Sequence, residues 1–474
     1  MYNFGGSFAI IIYINQIMDV PKREYSYWRL FEMIHTTTIR SELETYLKKT
    51  GLTINQFGEL SKINSGTLST IIKGVRPIAM QQLDRIVAAM GLPEGSFYEL
   101  YLEECFSYPL NWRRMKPFLN RCAELDKLEL IRKVVRYMTD NLAYVPLLFD
   151  TAEVLLNQEK RSAAAIIYES VAESEKYQHS ERLALCHYRL FTISIGHDQE
   201  KNLRAATKFE GFVERLDEID QLDALKDLVN IYSSLRQWEK VEELAEEMGR
   251  KATIQYTYKY EQAKRYDLEK EPKRPLFLYI IYSYLLLSGV CDERGDYEQA
   301  LRYVSLYSEL SWVQEDSEES HLIINQYKMW AVANTYLYQL MMGKVEVLPQ
   351  YVAYVESREA EILPALIKIV QAANKYNFNI DFVLEKFESQ ISSYALKQAD
   401  IGTYTYQVVA DQYTRFLSEL SLYYLRSQRY DSGINSLLDC LASASEIHSI
   451  AIPKNSIVEK VIYMLNNHKF TSKG

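Results

Sequence analysis

From residue 39 onward, apolar side chains recur at the spacing of amphipathic helices, broken only by short polar turns. The first helices are short and fully punctuated. Ile39, Leu43, Tyr46 and Leu47 share one face, and Gly51 stops that helix. Thr53 and Gln56 then stand at capping-box spacing, with Leu52 and Phe57 at the positions of a hydrophobic staple, which predicts where the second helix begins. A third helix repeats the device: Asn64 caps it, Ile63 and Leu68 form the staple, Ile71 continues the apolar stripe, and Lys73-Gly74 ends it. Gly58 supplies a small residue where two helices cross closely.

Beyond about Phe106 the pattern changes to paired amphipathic helices of roughly three to five turns. Three stretches read alike: Leu225–Met248, Tyr279–Leu310 and Phe416–Ala442. In each, a helix leads into a turn carrying an aromatic residue (Trp238, Tyr297, Tyr430), and a small or branched residue follows three positions later (Val241, Ala300, Gly433). Weaker copies lie at Leu147–Ala172, Arg182–Leu216 and Asn325–Val355, which predicts six or seven repeats. Tyr297 and Tyr430 are 133 residues apart, close to four periods of about 34. Trp238 and Tyr297 are 59 apart and need an insertion, expected at Lys264–Pro275.

Composition narrows this to an all-α chain: 17 glycines and 11 prolines in 474 residues are roughly half the ordinary share. A net charge of −9 excludes a general polyanion binder, so any DNA contact has to be local. Between Thr53 and Arg85, Lys62, Lys73, Arg76 and Arg85 face only Glu59 and Asp84, a local excess of two positive charges. Five scattered cysteines suggest neither a disulfide framework nor a zinc site, in keeping with a reducing cytoplasm. The apolar run Phe8–Ile14 is too short for a membrane span and lacks the basic flank of a secretory signal. Residues 1–33 are expected to be an extension outside the folded protein, with Met33 just ahead of the first amphipathic helix; the rival reading is an element packed on the body.

Leu52–Arg76, followed by Leu83, Ile86, Ala89, Met90, Gly91 and Leu92, resembles the Xre or lambda-repressor-like helix-turn-helix family. The resemblance implies a DNA-binding domain over 34–104 whose recognition helix enters the major groove, with Thr53, Asn64, Ser65, Gly66, Ser69, Thr70, Lys73 and Arg76 as the residues that meet DNA. Small hydroxyls dominate this set, so direct base readout should be modest and two half-sites read by a homodimer are expected. Ile54 and Ile72 depart from the family, which often has a Gln and an acidic residue there.

The repeats are similar to tetratricopeptide repeats, which implies a right-handed α-solenoid over 143–470 joined to the head by a helical linker at 105–142. A helix-turn-helix head on such a body resembles the RRNPP group of quorum-sensing receptors. That likeness implies a transcriptional regulator whose inner groove takes a short signalling peptide and thereby switches DNA binding. Helical phase, with Trp238 and Tyr297 taken as equivalent, places Lys226, Asn230 and Ser233 on the inner face of one repeat, and Tyr282, Leu285, Asp292 and Glu293 on that of another. Asn is suited to the task because its amide both donates to and accepts from a peptide backbone. The alternative is a repeat regulator that recruits a protein partner. An enzyme is not expected, since no phosphate-cradling loop, metal-ligand cluster or nucleophile motif occurs, and no cofactor or metal is implied.

Overall fold

The computed structural model describes residues 38–107, 111–178, 180–262, 271–396 and 403–447. The expectations for residues 1–33, for most of the insertion at 264–275 and for the end of the repeat domain lie outside the described residues. Among those described, the chain forms 22 α-helices and no strand, so it is all-α. It divides into two compact units, one running to Tyr144 and taking in 157–163, the other made of 145–156 and the chain from 164 on.

The first unit holds α1 (Ile39–Thr50), α2 (Ile54–Ser61), α3 (Ser65–Ile72), α4 (Met80–Ala89), α5 (Tyr98–Phe106), α6 (Trp112–Glu124) and α7 (Leu128–Met138). Each predicted cap is made. The Thr53 hydroxyl accepts from the Gln56 amide at 3.3 Å while Gln56 Oε1 accepts from the Thr53 amide at 2.9 Å. Asn64 Oδ1 accepts from Gly66 N at 2.9 Å. Phe57, Ile63, Leu68 and Ile71 are buried as their stripe requires. The stretch read as a linker forms α6 and α7, and Phe118 of α6 packs its ring on Tyr98 and Tyr101 of α5 at 5.5 and 5.4 Å.

Gly58 sits at the α2–α3 crossing, where a Cβ would lie 2.9 Å from the carbonyl oxygen of Ile63. Since that neighbour is backbone, it cannot move aside cheaply. Gly58→Val is therefore expected to lower the stability of this unit by about 1–3 kcal/mol, the usual cost of overpacking. Chemical denaturation followed by circular dichroism measures it, and an unchanged midpoint would contradict the close crossing.

The second unit and the chain leading into it run as seven successive helix pairs among the described residues. These are α8 (Val145–Asn157) with α9 (Arg161–Ser174), α10 (Glu181–Ser194) with α11 (Gln199–Glu210), α12 (Glu218–Ser234) with α13 (Trp238–Thr257), and α14 (Leu276–Arg294) with α15 (Tyr297–Ser308). There follow α16 (Glu318–Met341) with α17 (Leu348–Glu356), α18 (Glu359–Tyr376) with the short α19 (Asp381–Lys386) and α20 (Glu388–Leu396), and α21 (Thr403–Arg426) with α22 (Tyr430–Ile447). The 133 residues from Tyr297 to Tyr430 thus hold three pair-to-pair steps rather than the four expected, because α16 and α21 are each 24 residues long.

The repeat signal survives in backbone and packing. The residue two positions before the second helix is left-handed in the three best copies: Arg236 (φ 56°), Gly295 (φ 77°) and Gln428 (φ 60°). Only one of the three is the glycine that adopts this conformation without strain. Three residues into the second helix, Val241 and Ala300 are fully buried, and a Cβ on Gly433 would lie 2.5 Å from Leu425 Cγ. The tyrosines earn their number here by joining helices: buried rings donate to carboxylates on neighbouring helices, Tyr188 to Asp227 at 2.7 Å, Tyr232 to Glu210 at 2.6 Å and Tyr279 to Asp223 at 2.7 Å.

One described helix, α14, is long and apolar enough to cross a membrane by length and composition, with a mean hydropathy of 1.4. It packs between α13 and α15, and its last turn carries Asp292, Glu293 and Arg294.

Candidate functional sites

In the first unit, α3 is held from behind and open in front. Arg40 Nε donates to the Ile71 carbonyl at 2.9 Å, satisfying the C-terminal end of α3, and the same guanidinium pairs with Glu104 at 3.3 Å. Leu68 and Ile71 turn inward, so the residues between them face out. Thr53, Asn64, Gly66, Lys73 and Arg76 are exposed, whereas Ser65, Ser69 and Thr70 are half-buried. Three of the predicted contact residues already have structural duties: Thr53 and Asn64 cap their helices, and the Thr70 hydroxyl donates to the Thr67 carbonyl at 2.8 Å.

The cations of this face are unpaired. Among the described residues none of Lys62, Lys73, Arg76 and Arg85 forms an ion pair, while Arg121 of the same unit engages Asp84, Glu94 and Glu124. Arg85 reaches the Lys62 carbonyl at 3.3 Å, which gathers two of the four. Sequence reasoning missed Val75, an apolar side chain left 76% exposed between Lys73 and Arg76. Its only signal was its place in the turn that ends α3, where an apolar residue has no stripe to join.

In the second unit, the predicted inner-face residues lie along α12 and α14 and are largely engaged with one another or with later helices. Lys226 pairs with its neighbour Asp227 at 3.1 Å. Asn230 Oδ1 accepts from the Tyr282 hydroxyl, so the structure joins these two across α12 and α14. The Ser233 hydroxyl is buried with no hydrogen-bond partner, and Leu285 is half-buried against the core. Asp292 pairs with Lys368 of α18 at 2.7 Å, the two side chains being 10% and 15% exposed. Burial pushes the Asp292 carboxyl above the usual carboxylate range, and Lys368 opposes this only in part. Glu293 meets Arg236 at 2.5 Å and Arg415 of α21 at 4.0 Å.

Helical phase therefore located a shared polar strip but not its partners. Arg236, Lys368 and Arg415 were missed; the first stands beside the flagged Trp238, over whose ring its guanidinium lies at 5.4 Å, and that cation–aromatic neighbour was the available clue. A separate cavity of about 1100 Å³ opens between α15 and α16, lined by Val304, Leu310, Ile324, Lys328 and Val332 among others, and includes none of the predicted residues. No protein-family model matches the sequence, and no curated protein matches it significantly.

Proposed function

We propose that the chain is a sequence-specific DNA-binding transcriptional regulator. Its first unit reads duplex DNA through α3 in the manner of a helix-turn-helix, and its body, a right-handed solenoid of tetratricopeptide-like repeats, senses a short peptide. The observation that carries the reading is the pair of short capped helices α2 and α3 with the unpaired cations Lys62, Lys73, Arg76 and Arg85 around an outward face of small polar residues. Backbone amides, hydroxyls and free cations are the groups that grip phosphates, while small side chains let the helix approach base edges. One such head makes few base contacts, so the working species is a homodimer on two half-sites.

Peptide sensing is supported by the polar strip on α12 and α14, where Asn230, Ser233 and Tyr282 offer hydrogen-bonding groups beside the half-buried Leu285. A peptide switches DNA binding only if its affinity differs between two arrangements of the body. In a gel shift with DNA upstream of the protein's own gene, a peptide encoded by a short reading frame beside it is expected to change the shift. Asn230→Ala is expected to weaken that response about tenfold by deleting a half-buried amide. A shift indifferent to every such peptide would remove the sensing part of the proposal and leave DNA binding standing.

A second reading, recruitment of a protein partner, is favoured by the exposed Leu306, Leu322, Met329 and Val332 along α15 and α16. Native mass measurement of the purified complex separates the two readings, since a protein adds kilodaltons and a signalling peptide far less.

A further inference from the structure

Glu293 stands between two guanidinium groups and satisfies only one. Its contact with Arg236 is a full hydrogen-bonded ion pair at 2.5 Å, whereas Arg415 stays at 4.0 Å, the outer limit of an ion pair. Arg415 donates no hydrogen bond to any described residue, although a guanidinium carries five N–H groups in a fixed fork. Arg189 in the same unit shows what a satisfied arginine looks like: it holds both oxygens of Glu153, at 2.9 and 3.0 Å. The Arg415 side chain is nevertheless 23% exposed, as is that of Arg236, so the place is partly buried but reachable.

The electrostatics agree. Burial, and then the neighbouring Arg236 cation, hold Arg415 below the usual arginine value, and Glu293, Asp411 and Glu419 fail to offset them. An arginine does not give up its proton in a protein, so the depression measures a positive charge that its surroundings leave under-compensated. A fold gains nothing by burying such a charge, and a ligand that brings the missing anion would.

We propose that Arg415, acting with Arg236 across Glu293, is a carboxylate-binding subsite, so that the ligand of the second unit is a peptide presenting a carboxylate at this point. The proposal rests on the peptide-sensing reading and names the chemistry of its ligand. A carboxylate taken in a bidentate fork by Arg415 would also tie α21 to the turn between α12 and α13, a link that Glu293 makes in the free protein. That gives the peptide a differential contact of the kind a switch requires.

The test uses the full chain and two synthetic random heptapeptide pools, one with free C-terminal carboxylates and one amidated, with retained peptides identified by mass spectrometry after size exclusion. Retained sequences are expected to carry a carboxylate at a fixed place, and Arg415→Met should cut their retention at least tenfold. Loss of retention with the amidated pool assigns the carboxylate to the peptide's C-terminus; retention with a fixed Asp or Glu assigns it to a side chain. Peptides retained from the amidated pool without any acidic preference would overturn the subsite and keep peptide sensing, whereas no retention from either pool would overturn both.

A ligand-free measurement stands beside these. Arg415→Met is expected to raise the melting temperature of the free protein by a few degrees, because an under-compensated buried charge is removed. A fall of that size would show Arg415 to be a structural residue and refute the subsite.

Discussion

Replacing both Lys73 and Arg76 by Glu should abolish the retardation of an operator fragment, weakening binding on the order of 100-fold or more near physiological salt. Both side chains are exposed and neither forms an ion pair among the described residues, so the double change removes no described contact that holds α3 in place. Its whole effect falls on the field that α3 presents to phosphates. If each cation neutralises one phosphate, the slope of log affinity against log salt should become shallower by about two in the corresponding double Gln variant. Fluorescence anisotropy at several salt concentrations reads both quantities. An unchanged affinity with an unchanged slope would mean that α3 is not the DNA-facing helix.

The neighbouring polar residues make poorer probes, for a reason the structure supplies. Asn64→Ala removes the oxygen that accepts from Gly66 N, a cap worth about 1 kcal/mol, so lost DNA binding would be confounded with a loosened helix. Thr53 is compromised in the same way by its exchange with Gln56. The charged pair is cleaner because it has no such second duty.

What could be read from the sequence and what could not divide along the range of the interaction. Caps, staples and the Gly58 crossing span only a few residues, and each was placed correctly because a side chain two to five positions away decides it. The positions of Val241, Ala300 and Gly433 were legible for the same reason: the aromatic three residues earlier fixes the phase. The step length beyond Tyr297 was not. Nothing local sets how far a helix such as α16 continues, and its length is decided by what it buries along its far turns, where Tyr338 and Leu340 are almost fully covered.

The polar strip illustrates the limit further. Asp292 and Glu293 were singled out by phase alone, but their partners Lys368 and Arg415 lie on helices four and more elements later, and helical phase on α14 contains no information about α18 or α21. Two residues proposed to meet a ligand thus proved to be bound to the protein itself. Where the internal pairing is incomplete, as at Arg415 and at the Ser233 hydroxyl, the strip retains capacity for something else.

Asp292 is the counter-case, and it carries the other large effect. Lys368→Met should destabilise the second unit by about 3–5 kcal/mol at neutral pH, because it strands a buried carboxylate, one oxygen of which already has no hydrogen-bond partner. The loss should depend on pH in one direction. Burial already holds the Asp292 carboxyl above its ordinary value, and removing Lys368 takes away the group that opposes this. The folded protein then binds a proton more tightly than the unfolded chain does, so stability is gained as pH falls from neutral toward the ordinary carboxylate range and lost as pH rises through the raised value. Denaturation midpoints of the variant should therefore approach those of the unsubstituted protein on acidification. Adding Asp292→Leu should restore stability at neutral pH by removing the stranded charge and with it the pH dependence. A variant as stable as the unsubstituted protein at pH 7, or one that weakens further in acid, would show that the Asp292–Lys368 pair does not hold α14 to α18.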